Sequence, residues 1–287
     1  MDAPIASGRL TAAEGVALHY LEAGPKEGEL VVLLHGFPEF SHGWRPLMAV
    51  LAEAGFHVIA PDQRGYAESD KPAGWAAYDV DRLVADVLAI LDHVGAAQAN
   101  VVGHDWGAIV AWWTATTHPD RVKRLIALSA GHPAVWRAAM RDTPAQRRRS
   151  WYVAAFGLPW LPERLMRAQN YKALADALTA TKRPGAFTDA DLAAHRQAWS
   201  RPGALTGMVN WYRAVLRHRF GPESAYRVSP PTLFIFGAQD IYAEPSIGER
   251  SIALCADGRL ETLDATHWVQ HDEPEAVARL ILQHLRR

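Results

Sequence analysis

An aspartate stands where a strand gives way to a helix, in Gly103-His104-Asp105-Trp106-Gly107. Two glycines four apart with a reactive side chain midway form a nucleophile elbow, a tight strand-to-helix turn that lifts its central side chain into a site. The glycines are needed where the strand and helix backbones come too close for a Cβ. Taken alone, Asp105 reads equally well as a helix N-cap, for which Asp is among the best residues. Two other residues shift that balance. Asp240, in Gly237-Ala238-Gln239-Asp240, and His267, in Asp264-Ala265-Thr266-His267, each follow a strand-like run. Nucleophile, acid, histidine is the chain order that goes with such an elbow. His267 then reads as a general base and Asp240 as the acid that orients it, with Asp62 and Asp264 in reserve. A buried structural histidine and a turn-forming Asp are the bland alternatives. Backbone N–H groups of Trp106 and of Phe37, in His35-Gly36-Phe37-Pro38, are placed to form an oxyanion hole.

The choice of nucleophile selects the chemistry. A Ser at the elbow attacks a carbonyl and leaves an acyl-enzyme. A carboxylate is a poor reagent for stable esters and amides, but it displaces a leaving group from an sp³ carbon. The product is an ester of the enzyme's own Asp105, which water activated by His267 then hydrolyses. Three glycine pairs are four apart (Gly24/Gly28, Gly103/Gly107, Gly203/Gly207), and none has Ser between them. An epoxide or an alkyl halide suits this chemistry. An epoxide oxygen needs a weak acid such as Tyr, with a pKa of about 10; a halide needs only N–H donors. Tyr152, beside Trp151, and Tyr212, in Asn210-Trp211-Tyr212-Arg213, are the candidate acids. Either Tyr alone reads as ordinary packing.

These groups need a scaffold that brings their loops to one edge. Residues 8–24 alternate polar and apolar around Glu14-Gly15, which predicts a hairpin. Leu30–Leu34, His57–Ala60, Ala99–Val102, Arg124–Ser129, Thr232–Phe236 and Arg259–Leu263 are the predicted strands, mostly continuous apolar runs. Helical patterns follow at 42–54, 80–94, 108–118, 245–256 and 273–285. Strand–helix alternation predicts a mostly parallel α/β sheet, whose ligands bind at the carboxyl ends of the strands. The loops at Gly36, Asp62, Asp105, Asp240 and His267 all follow strands. From His132 to Arg227 only helical patterns occur, interrupted at Pro159, Pro162, Pro184 and Pro202. The expected organisation is an α/β core at 1–131 and 229–287, with an all-helical lid at 132–228.

Charge marks the same boundary. Residues 132–227 hold sixteen Arg/Lys against six Asp/Glu, whereas the remainder holds fourteen against twenty-five. The net charge of −1 over 287 residues gives no sign of nucleic-acid binding. No run of eighteen apolar residues exists, so no membrane partner is expected. The lone Cys255 fits a reducing compartment, and the start of the chain has no basic segment followed by an apolar stretch, so a cytoplasmic protein is expected. His267 and His271 are four apart, as metal ligands on a helix are, but no further ligand set accompanies them. No G-x-G occurs, so a dinucleotide fingerprint is absent. Arg147-Arg148-Arg149 reads as a solvated face, and Trp112, Trp113 and Trp136 as packing.

Taken together these segments resemble the epoxide hydrolases of the α/β-hydrolase superfamily. The resemblance spans nearly the whole chain. It rests on His35-Gly36-Phe37-Pro38-Glu39, Asp62-Gln63-Arg64-Gly65-Tyr66, Gly103-His104-Asp105-Trp106-Gly107, Gly237-Ala238-Gln239-Asp240 and His267, with Tyr152 before Phe156-Gly157-Leu158-Pro159 and Tyr212 in the lid. It implies an α/β-hydrolase fold and hydrolysis of a small-molecule epoxide by water to a vicinal diol. Asp105 attacks carbon while Tyr152 and Tyr212 bind and protonate the oxygen. Phe37, Trp106 and Trp151 would contact substrate, and no metal or organic cofactor is implied. A monomer or homodimer is expected. Haloalkane dehalogenases share the elbow, with Trp106 as a halide donor, but many carry Asn where this chain has Phe37. Fluoroacetate dehalogenases tend to carry Arg where this chain has Trp106. A hydrolase-like binding protein without turnover is the remaining alternative.

Overall fold

The continuous apolar runs become strands covered on both faces. In the computed structural model, which describes residues 4–287, the chain forms one eight-stranded sheet. Its strands are β1 (Ala6–Thr11), β2 (Ala17–Ala23), β3 (Leu30–Leu34), β4 (His57–Pro61), β5 (Ala99–His104), β6 (Val122–Leu128), β7 (Thr232–Gly237) and β8 (Gly258–Leu263). Their order across the sheet is β1-β2-β4-β3-β5-β6-β7-β8. The hairpin β1–β2 runs antiparallel, and β2 pairs antiparallel with β4. All remaining pairs are parallel. The hairpin turns through Glu14 at φ 61 and Gly15 at φ 75. Every residue of β3, β4, β5 and β7 is buried, as strands coated by helices on both sides must be.

The core helices are α1 (Arg45–Glu53), α2 (Val80–His93) and α3 (Trp106–Thr117). Between β6 and β7 come α4 (Pro133–Asp142), α5 (Pro144–Arg149), α6 (Trp151–Phe156), α7 (Leu161–Thr179), α8 (Asp189–Ser200) and α9 (Ala204–Val215). The chain closes with α10 (Pro245–Ile252), α11 (Val269–Asp272) and α12 (Pro274–Leu285). Leu47, Leu51, Val277 and Ile281 carry α1 and α12 onto the face of the sheet made by Val31, Leu33, Val58 and Ile235. Leu83, Val87, Ala108 and Trp112 carry α2 and α3 onto the other face.

Most predicted elements match within two residues, although α1 begins only at Arg45 and α10 already ends at Ile252; β5 runs on through Gly103 and His104, so the strand leads directly into the elbow. The exception among the breakers is Pro162. It lies in the first turn of α7, where its missing N–H has no intrahelical partner, so it starts that helix rather than interrupting it. The interruption comes later, at Ala168–Tyr171, where Gln169, Asn170 and Tyr171 take φ of 50, 53 and 62.

The helices between β6 and β7 are fastened to the loops that follow β3 and β4. Trp199 Nε1 on α8 donates to the Pro38 carbonyl at 2.7 Å, and Trp211 Nε1 on α9 donates to the Arg64 carbonyl at 3.0 Å. Gly65 and Gly207 cross backbone to backbone, and a Cβ on Gly207 would lie 2.7 Å from the Gly65 oxygen.

The elbow shows the same constraint more sharply. A Cβ on Gly107 would lie 2.0 Å from the Leu34 carbonyl oxygen, and one on Gly103 would lie 2.2 Å from the Gly107 oxygen. Neither obstacle is a flexible side chain. Gly107→Ala is therefore expected to lower unfolding stability by at least about 2 kcal/mol, the cost of overpacking a rigid site. Urea unfolding checks this, and an unchanged midpoint would contradict the crossing.

Candidate active site

Asp105 stands between β5 and α3 with φ 51 and ψ −118. That left-handed backbone is rare for a residue with a Cβ and holds the carboxylate clear of the helix. Its side chain makes no N-cap hydrogen bond, which removes the bland reading. Instead, Asp105 Oδ1 accepts from the Phe37 amide at 2.8 Å. The Phe37 loop is pinned in turn: the Gln63 amide donates to His35 Nε2 at 3.0 Å, and Gln63 Nε2 donates to the His35 carbonyl. The Trp106 N–H opens α3 and has no intrahelical acceptor. Of the two expected oxyanion donors, the Phe37 amide thus lies against the Asp105 carboxylate, and the Trp106 amide is free of helix hydrogen bonding.

The other two members arrive from β7 and β8. His267 Nδ1 and Asp240 Oδ2 are 2.7 Å apart, and His267 Nε2 faces Asp105 Oδ2 at 3.5 Å. Asp240 Oδ1 accepts from the amides of Tyr242 and Ala243 at 2.6 and 3.1 Å, which fixes its rotamer. The reserve acids lie elsewhere. Asp62 is buried and ties down its own loop, accepting from Ser41 N and Glu68 N while facing His19. Asp264 is exposed against Lys182 and Gln239.

Burial by itself lowers the pKa of His267, but Asp240 and Asp105 outweigh it and raise it to about 10. Burial likewise pushes Asp105 up, yet its contact with His267, the nearby His104 and the Phe37 amide hold it below the ordinary carboxylate value. The resting site is therefore an ionised Asp105 beside a protonated His267. Consuming the Asp105 charge must lower the pKa of His267. In Asp105→Asn, that pKa is expected to drop from about 10 by roughly one to two units, the size of the loss of one adjacent carboxylate. NMR titration of the imidazole measures it, and an unshifted value would contradict the coupling.

Tyr152 on α6 and Tyr212 on α9 face this dyad across a cavity, with ring centroids 6.0 Å apart. Burial, then the Asp105 charge, pushes both phenols well above their usual pKa, so both remain O–H donors at neutral pH. Trp106 and Phe37 pack edge-on against Tyr212 at 4.9 and 5.5 Å. The cavity has two parts that meet at Asp105, Tyr152, Tyr212, Tyr242 and His267. The outer part, of about 770 Å³, is walled by Phe37, Phe156, Met166, Leu174 and Trp268, with Trp151 at its mouth. The inner part is small, about 70 Å³, and reaches Ser129, Trp136 and Ile247.

Several of these residues escape a reading of the sequence. Trp136 lines the inner chamber rather than serving only as packing, whereas Trp112 and Trp113 are buried in the core. Tyr242 stacks edge-on against His267 at 5.0 Å, and its place two residues after Asp240 was the available signal. Ser129, at φ 61, holds a buried hydroxyl with no partner. Arg149 departs from the solvated face expected of its run: it donates to the Asp240 carbonyl and to Glu244, both at 2.8 Å. Glu39, quoted only as part of a motif, is buried behind the elbow and paired with His271 Nε2 at 2.7 Å. Burial would raise its pKa, but His271 and His104 hold it well below the carboxylate range.

That contact also separates His271 from His267, so the two rings do not converge on a metal. Among the described residues, Asp79, Asp81 and His218 bring potential ligand atoms within 4.8 Å of one another. Each is already engaged: Asp79 accepts from the Asp81 amide and faces His218, and Asp81 accepts from Trp113 Nε1.

Comparison with known proteins gives the family. Residues 29–274 match the family model for the alpha/beta hydrolase fold. Epoxide hydrolase A of Mycobacterium tuberculosis is 33% identical, with 96% of each chain covered. The chain belongs to the epoxide hydrolases of the α/β-hydrolase superfamily. The AB hydrolase superfamily protein YfhM of Bacillus subtilis is 40% identical over 95% of both proteins. Human epoxide hydrolase 4 is 36% identical over 95% of this chain and 76% of its own length. Among solved structures, a Bacillus megaterium epoxide hydrolase in complex with an inhibitor superposes with a TM-score of 0.88 at 29% identity, covering 98% of this chain and all of that one.

Proposed function

We propose that this epoxide hydrolase opens an epoxide to a vicinal diol through a covalent ester on Asp105. One observation carries the reading: two phenols, held as O–H donors by burial and the Asp105 charge, face the Asp105 carboxylate and His267 across one cavity. In the first step Asp105 Oδ2 attacks an epoxide carbon. The carbon–oxygen bond of the ring breaks, and Tyr152 or Tyr212 gives its proton to the departing oxygen. The ester removes the negative charge that kept His267 protonated, so His267 passes its proton on and the tyrosinate is restored. Neutral His267 then takes a proton from water, whose oxygen attacks the ester carbonyl. The Phe37 and Trp106 amides donate hydrogen bonds to the developing oxyanion. Collapse of the tetrahedral intermediate frees the diol and restores ionised Asp105 beside protonated His267. Asp240 holds the imidazole in the tautomer this sequence needs.

In this reading residues 132–228 act as a lid on a core formed by 1–131 and 229–287. Its helices deliver the phenols and exclude bulk water. Dehalogenation shares the nucleophile but has no use for two phenols, so epoxide is the better-supported substrate. A panel of styrene oxide and other epoxides with bromoalkanes, scored for diol and for bromide, tests the assignment. Diol formation well above any bromide release is expected. Bromide release without diol would favour the dehalogenase, and neither product across a varied panel would favour a binding protein.

A further inference from the structure

Of the seven exposed large apolar side chains among the described residues, five lie at or beside the mouth of the cavity. Trp151 is 70% exposed, Trp160 66%, Ile241 62%, Leu165 61% and Leu158 48%. Four of these line the mouth, and Trp160 stands in a neighbouring groove formed by the same α7. An exposed apolar patch of this kind marks an interaction site. Trp160 is also held at φ 50, a left-handed conformation costly for a bulky residue. Packing does not explain that cost, since the indole is mostly in solvent.

Cations surround the patch. Arg148 lies at the mouth, and Arg164 and Arg167 share the groove with Trp160. The carboxylates beside them are already paired, Glu244 with Arg149 and Glu163 with Arg213. The whole stretch 132–227 carries sixteen Arg/Lys against six Asp/Glu. Charge selects the occupant. A second copy docked by two-fold symmetry would set these arginines against their own images. A surface of phosphate headgroups over an apolar interior matches both parts, since Trp settles at that boundary and Arg pairs with phosphate.

We propose that this rim docks the enzyme on the surface of an anionic bilayer, with the cavity mouth turned toward the lipid. No helix among the described residues is long and apolar enough to cross a membrane, so the attachment is peripheral. The sequence-based expectation of no membrane partner rested on the missing span and could not see a rim assembled from α6, α7 and the loop after β7. The purpose of docking rests on the epoxide reading: apolar epoxides partition into bilayers, and a mouth held there collects them. Docking itself does not depend on that reading.

Flotation of the intact enzyme, without substrate, tests it. The probes are vesicles of phosphatidylcholine alone and of phosphatidylcholine with about one-third phosphatidylglycerol. Binding to the mixed vesicles is expected to be at least about tenfold tighter and to weaken as salt screens the arginines. Trp160→Ser, and separately Arg164→Glu with Arg167→Glu, should each weaken it by about tenfold or more, given shallow apolar insertion and roughly one unit of headgroup attraction per arginine. Turnover of a small water-soluble epoxide should be unchanged in both variants, which shows that they fold. No binding to the mixed vesicles, equal binding to both kinds, or variants that float like the parent would overturn the proposal. So would a solution dimer that these substitutions dissociate, which would make the rim a contact between copies. A failed substrate panel with intact flotation would instead remove the epoxide reading and leave docking in place.

Discussion

Turnover of an epoxide falls at least about a thousandfold in the double variant Tyr152→Phe, Tyr212→Phe, within the range that positioned acid catalysis supplies. Each single variant is expected to lose less, about ten- to a hundredfold, because the second phenol still reaches the same oxygen. The expectation follows from placement. The two rings come from separate helices, yet their centroids are 6.0 Å apart and both face Asp105. Substitution by Phe leaves volume and aromatic packing in place, so the fold should hold. Asp105 and His267 are untouched, and any displacement of bromide from a bromoalkane, which needs no proton, should change little. Equal loss of both reactions in folded protein would count against an acid role. A double variant that opens epoxides at the parent rate would remove the phenols from the mechanism.

His267→Gln should separate the two halves of the reaction. In the proposed mechanism ring opening needs only the ionised Asp105 and the phenols, so the variant should still be alkylated. Hydrolysis of the ester needs a base, and it should slow about a thousandfold or more. Intact-mass measurement after mixing with an epoxide that the parent turns over is then expected to show one substrate mass added, located on Asp105 by peptide mapping. The sign of the pH dependence follows from the same contacts. The ester hydrolysis rate should rise with pH as His267 loses its proton. That rise should lie below the value of about 10 set in the free enzyme, because the ester no longer carries the Asp105 charge. A variant that neither turns over nor gains mass would point to a role for His267 in the first step or in folding.

The core of the fold was legible because strands buried on both faces write themselves as apolar runs, and Leu30–Leu34 is the clearest example. The elbow was legible because its glycines answer a backbone crossing that admits no Cβ. Asp240 and His267 followed from chain order, since parallel strands deliver their end loops to one edge. What stayed hidden was set by meetings between distant segments. Ser129 and Trp136 share the inner chamber with Tyr242, which lies more than a hundred residues further along the chain. Periodicity reports that a side chain is buried, not which chamber it faces. Arg149 looked like one of three solvated arginines until the fold placed the Asp240 carbonyl beside it. Glu39 and His271 are 232 residues apart in sequence and 2.7 Å apart in space. Pro162 misled in a different way, because a proline that breaks a helix and one that starts it carry the same local signal.

A single turnover in ¹⁸O-labelled water bears most directly on the covalent Asp105 ester. With enzyme in excess over epoxide, the proposed mechanism predicts that the oxygen added to carbon comes from the Asp105 carboxylate and that the solvent oxygen enters the carboxylate in its place. The first-turnover diol should therefore be unlabelled, and the peptide containing Asp105 should gain one ¹⁸O. A labelled diol with an unlabelled Asp105 would mean that water attacks the epoxide directly, and the ester mechanism would be wrong.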